Sequence, residues 1–131
     1  MIALDTNVLA RYLLADEPGQ AKAAGKRIED GEGEFWIPVT VVLELAWVLR
    51  AKKVPDAEIA ARLQELFALG NLRLQCSSAV FRALRWAEHG LDLADALHIA
   101  LSDKASSFLT FDAALVRRAA KLGAQPAVAA P

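Results

Sequence analysis

Met1-Ile2-Ala3-Leu4-Asp5-Thr6-Asn7 opens the chain and decides how the rest is read. A short apolar run ends abruptly in three polar residues, and a helical pattern starts at once, from Val8 to Leu14. The run reads as a short buried strand, Ile2–Leu4, with a carboxylate at its carboxyl end. In open α/β sheets, ligands bind in the crevices outside the carboxyl ends of strands. Asp, Thr and Asn are also good helix caps, so Asp5 has a structural reading beside the functional one.

Working outward, strand and helix signals alternate. Pro18 suits the first turn of a second helix, with Ala21, Ala24 and Ile28 spaced for one buried face. The polar run from Glu29 to Glu34 is a turn, and Phe35-Trp36-Ile37 is a buried strand that Pro38 ends. A helix from Val39 to Ala51 puts Val41, Leu45, Val48 and Leu49 on one face, and Glu44 shares it. A carboxylate on an apolar face must be paired, hydrogen-bonded or metal-bound. Pro55-Asp56 starts a plain amphipathic helix that Gly70-Asn71 stops. Leu72-Arg73-Leu74 alternates like a strand, and a helix follows from Ser77 to His89-Gly90.

In Leu91-Asp92-Leu93-Ala94-Asp95-Ala96-Leu97-His98, Asp92 is placed as a helix cap and Asp95 falls in the first turn, where acids favour the helix dipole. His98, one turn on, reads as a satisfied core or interface residue rather than a metal ligand. Ser107 to Phe111 is a further strand ending at Asp112, which repeats the arrangement around Asp5. A helix from Ala113 to Leu122 stops at Gly123, and Gln125 to Val128 reads as a last edge strand. Strands joined by helical crossovers imply a mainly parallel sheet of four to five strands, covered on both faces.

Composition bounds the function. One domain over residues 1–131 is expected from the length. With 15 basic and 16 acidic side chains the net charge is −1, so any case for nucleic-acid binding must be local. A single cysteine, Cys76, excludes an intrachain disulfide and fits a reducing compartment; it is expected as a small core residue. No signal peptide and no membrane span are legible, so a soluble, cytoplasmic protein is expected.

Four acids stand out: Asp5 and Asp112 after strands, Glu44 on a helix, and Asp95 in a first helical turn. Parallel strands would bring Asp5 and Asp112 to one edge, where helix amino termini also open. Converging carboxylates repel and raise one another's pKa values. Hard divalent cations resolve that conflict, because Mg²⁺ and Mn²⁺ prefer oxygen ligands.

With those residues in view, the chain resembles the PIN-domain family, and in size and pattern its VapC-type toxin ribonucleases. Asp5-Thr6-Asn7, Glu44, Asp95-Ala96-Leu97-His98-Ile99-Ala100 and Leu109-Thr110-Phe111-Asp112 carry the resemblance, in the family's order and approximate spacing. It implies an α/β/α sandwich and a metal-dependent endoribonuclease. Asp5, Glu44, Asp95 and Asp112 would be its catalytic, metal-binding cluster for Mg²⁺, with Mn²⁺ as the alternative. Thr6, Asn7 and Thr110 would be supporting residues that orient carboxylates or water. A homodimer is also implied, as is a small VapB-like antitoxin whose carboxyl-terminal segment covers the active site.

An RNA substrate needs cations, and the candidates are Arg11, the group Arg50, Lys52 and Lys53, and Arg82 with Arg85. Trp36, Trp47 and Trp86 are expected in core or dimer packing rather than stacked on bases. Three rival readings stand beside this one. An aspartyl-nucleophile phosphatase would need a second aspartate where this chain has Asn7. A non-catalytic PIN-like module would be expected to lose one or more of the acids. A PIN nuclease of RNA processing differs only in its genetic surroundings.

Overall fold

The structure, a computed structural model, describes all 131 residues. They divide into two compact units, Met1–Val54 with Glu65–Gln75, and Pro55–Gln64 with Cys76–Pro131. Seven helices and exclusively parallel strand pairing bear out the mixed α/β class. Five strands are present, hydrogen-bonded as one group of three and one of two.

In the first unit, β1 (Ile2–Ala3) pairs with β2 (Phe35–Ile37), which pairs with β3 (Leu72–Leu74). Parallel neighbours need long crossovers. α1 (Thr6–Leu14) and α2 (Pro18–Asp30) supply the first. α3 (Val39–Ala51) and α4 (Asp56–Phe67), whose residues are shared between the two units, supply the second. α1 packs on α2 and α3. Leu9, Ile28, Phe35, Ile37, Leu45 and Leu49 are fully buried there, each contributing about 1.5–3 kcal/mol relative to exposure.

In the second unit, α5 (Ser77–Glu88) packs against α6 (Leu93–Ala100). Ala79, Ala83 and Ala87 on one helix and Ala96 and Ala100 on the other are buried. Small side chains let two helix axes come close. β4 (Ser107–Leu109), α7 (Ala113–Leu122) and β5 (Ala127–Ala129) complete the unit, with β4 and β5 parallel.

Several expectations need correction. The first strand ends at Ala3 and both its residues are exposed; burial begins at Leu4. The strand expected over Ser107–Phe111 stops at Leu109, and the last strand is shifted to Ala127–Ala129, after a cis Gln125–Pro126 peptide. Cys76 is exposed rather than a core residue, because it turns the chain into α5 with a left-handed backbone (φ 51°). Of the tryptophans expected in core or dimer packing, Trp36 and Trp47 are exposed and Trp86 is half-buried, so none is a fully buried core residue of the single chain.

The start of α3 shows how the first unit is tied together. Pro38 occupies the N-cap position and supplies no side-chain acceptor. Gln75, just past β3, does so instead: its Oε1 accepts from the Val39 amide at 3.0 Å. Gln75→Ala leaves that first-turn amide to solvent. It should cost about 0.5–1 kcal/mol, read as a lower urea midpoint at unchanged slope; an unchanged midpoint would show the cap to be idle.

Candidate active site

Asp5 sits at the N-cap of α1 in extended conformation, yet its side chain makes no cap hydrogen bond. The carboxylate is exposed, so the capping reading of this residue fails on geometry. Next to it, Thr6 is only 2% exposed and its Oγ1 has no hydrogen-bond partner. A buried hydroxyl without a partner carries a desolvation cost that the fold does not recover. Asn7 lines a cavity of about 540 Å³ in the first unit, together with Leu4, Val8, Arg11, Gln20 and Arg27.

Glu44 departs from expectation. The buried face of α3 is Val42, Leu45, Ala46 and Leu49, and Glu44 is exposed beside it. Its carboxylate therefore stays hydrated, and no burial forces a partner on it.

The second unit gathers three acids electrostatically. Asp92 caps α6, its Oδ2 accepting from the Asp95 amide at 3.2 Å. Asp95 follows in the first turn, half-buried. Its carboxyl is held above the usual aspartate range, first by desolvation and then by the charges of Asp92 and Asp112; His98 acts the other way. His98 is itself exposed, which removes the core half of the core-or-interface expectation. Asp112 caps α7, Oδ1 accepting from the Leu115 amide at 3.1 Å. Thr110 Oγ1 accepts from the Asp112 amide at 3.1 Å, which pins the backbone beneath that carboxylate. Asp92 was legible as a cap but not as a charge acting on Asp95. The spacing holds the signal, since the N-cap and the third helical residue lie together by construction.

Asp95 and Asp112 are thus coupled, and Asp5 and Thr6 are adjacent on α1. No three His, Cys, Asp or Glu side chains already form a ready group of metal ligands. The donor chemistry nonetheless fits a hard divalent ion. The candidate donors are carboxylate oxygens, Asp5 makes no cap hydrogen bond, and Thr6, the next residue in the chain, has an unpartnered hydroxyl. Repulsion at Asp95 is the kind that a cation relieves.

Three of the six cations put forward for RNA have close partners elsewhere. Arg11 bonds Asp16 at 3.0 Å and Gln20 at 2.7 Å, and Lys52 lies 3.5 Å from Asp16. Arg82 donates to Ser78 and to the Ala100 carbonyl.

The chain matches the PIN domain family over residues 2–122, which include all four acids. No curated protein and no solved structure gives a match.

Two stability measurements check this geometry. Asp112→Ala removes a working cap and should cost about 1 kcal/mol. Asp5→Ala removes none and should stay within about 0.5 kcal/mol of the parent. Equal losses in urea unfolding would contradict the distinction. A carboxyl whose folded-state pKa is raised destabilises the fold while ionised, above that pKa, and ceases to do so once protonated below its unfolded value. In EDTA at pH 7, Asp95→Asn should therefore raise Tm by roughly 1–2 °C, the exposure of the group keeping the effect small. That gain should vanish as the pH falls towards 4. A gain that persists there would assign it to something other than ionisation.

Proposed function

From the premise that the chain belongs to the PIN domain family, whose members are generally metal-dependent nucleases, we propose a single-domain Mg²⁺- or Mn²⁺-dependent endoribonuclease. The observation that carries it is the acid group around Asp95, whose carboxyl is held above its usual range first by burial and then by the charges of Asp92 and Asp112. A carboxyl held above its usual range by burial and by neighbouring acids is a standing cost to the fold, and a cation-dependent site gives that cost a use.

In this reading Asp5 and Asp95 are the principal metal ligands, with Glu44 and Asp112 completing the set. Each brings a different preparation. Asp5 arrives uncapped, so both its oxygens are available. Asp95 is partly desolvated, which strengthens its interaction with any positive charge. Asp112 uses Oδ1 for its cap and keeps Oδ2 in hand, on a backbone that Thr110 fixes. Exposed Glu44 can reorient at little cost. Thr6 offers its buried hydroxyl to orient the Asp5 carboxylate or a water, and Asn7 lines the α1–α2 cavity. The chemistry supplied when Mg²⁺ or Mn²⁺ is bound is Lewis-acid polarisation of a phosphodiester and acidification of a water for in-line attack.

The finer reading is the toxin of a VapBC-type pair: a cytoplasmic homodimer held inactive by a small VapB-like antitoxin. What supports it is the order of the four motifs within one short chain. No helix is long and apolar enough to cross a membrane.

Incubation of the purified chain with total RNA and Mg²⁺ or Mn²⁺, beside Asp5→Asn and an EDTA control, tests the nuclease. Discrete cleavage, lost in both controls by at least about 100-fold, is expected. Intact RNA from a folded, metal-binding preparation would leave a non-catalytic PIN-like module. Induced expression in bacteria tests the toxin. Growth arrest by the parent but not by Asp5→Asn is expected; unimpeded growth with active enzyme would point to an RNA-processing nuclease.

A further inference from the structure

Charge is unevenly distributed along the chain. Residues 1–112 hold all 16 acidic and 12 of the basic side chains, while residues 113–131 hold three basic side chains and no acid. All three lie on α7: Arg117, Arg118 and Lys121, each exposed and none in an ion pair. The opposite face of the helix is occupied by buried Leu115 and Ala119. Residues three and four apart on a helix are neighbours, with Cβ atoms about 5–6 Å apart, and like charges so placed oppose the helix. Lys121 has some return from the helix dipole in the last turn; Arg117 and Arg118 stand further in.

At the amino-terminal end of the same helix is a second feature that folding does not explain. Phe111 is 92% exposed. It is held outward by fixed neighbours: the Thr110 amide donates to the Ala129 carbonyl at 3.0 Å, and the Asp112 amide to Thr110 Oγ1. A bare aromatic ring on a pinned backbone, next to Asp112 and at the amino-terminal end of a basic helix, matches what single-stranded nucleic acid needs. Cations track the phosphates and aromatic faces stack on bases.

We propose that the basic face of α7, with Phe111 at its entrance, is the RNA-binding surface of this chain: Arg117, Arg118 and Lys121 contact phosphates, and Phe111 stacks on a base near the acid group. The inference rests on the nuclease reading and supplies its substrate contacts. A second copy of the chain is a poorer occupant, because a two-fold contact through this face would set three cations against the same three. Stacking and phosphate contacts are tolerant of sequence, so this surface positions single-stranded RNA and leaves base selection to other residues.

Fluorescence anisotropy of a labelled, mixed-sequence single-stranded oligoribonucleotide, titrated with the full chain in EDTA across a salt series, measures binding without cleavage. The variant carrying Arg117→Gln, Arg118→Gln and Lys121→Gln together should bind on the order of 100-fold more weakly at low salt. Its slope of log affinity against log salt should be shallower by about 2, the loss expected for three phosphate contacts on a single strand. Phe111→Ala should lose about tenfold and Phe111→Trp should restore it. Thermal melting of each variant, expected to match the parent or, in the triple variant, to lie slightly above it, guards against misfolding. Parental affinity and slope in the triple variant would overturn the inference, as would a parent that binds no RNA, or that binds phosphatidylserine vesicles through this face instead. Cleavage with metal, run alongside, separates the two readings. A parent that binds through α7 but cleaves nothing refutes the nuclease and spares the surface. Equal cleavage by parent and triple variant refutes the surface and spares the nuclease.

Discussion

Parallel strand pairing is the constraint on which the rest depends. Two parallel strands cannot be joined by a tight turn, so each must hand the chain to a helix before the next begins. In the first unit β1 and β2 run the same way, and α1 and α3 therefore start from the same edge of the sheet. In the second, β4 hands over to α7 through Thr110, Phe111 and Asp112. Polar residues at these handovers are compelled to lie where helix amino termini open and where ligands gather.

At the helix starts the same residue type is put to different uses. Asp5, Asp92 and Asp112 all occupy N-cap positions, yet only Asp92 and Asp112 bond the amides of their helices. Asp92 and Asp112 also press on Asp95, so two structural acids contribute to the electrostatics of a third. Structural and chemical roles are not exclusive when a carboxylate has two oxygens. One can satisfy a helix while the charge of the whole group is felt next door.

The cations show a comparable division. Arg11 and Lys52 share Asp16; partial desolvation acts to raise that carboxyl, but the hydrogen bond and charge of Arg11, with Lys52, hold it below the usual range. Arg73 does the same for Glu34, through a hydrogen bond at 2.7 Å. These exposed pairs add little stability, but they remove their members from service elsewhere. The α7 cations have no such partners.

Element order, the α/β class and the positions of the acids relative to strand and helix ends were legible in the residues alone. Hydrophobic periodicity, proline and glycine act locally and can be read locally. The residues alone could not determine which face of α3 is buried. Val-Thr-Val-Val-Leu-Glu-Leu-Ala-Trp-Val-Leu is apolar nearly all round, so the pattern has no single phase, and only packing selected Val42, Leu45, Ala46 and Leu49 and left Glu44 exposed. Nor could they tell a capping aspartate from an idle one, since the difference lies in side-chain geometry at identical backbone positions. Whether Cys76 and His98 were buried, and whether Phe111 was left bare, depended on neighbours distant in the chain. Local signals set what each segment is; which of its side chains remain available for chemistry was decided by tertiary contacts, because burial is a property of the surroundings and not of the residue.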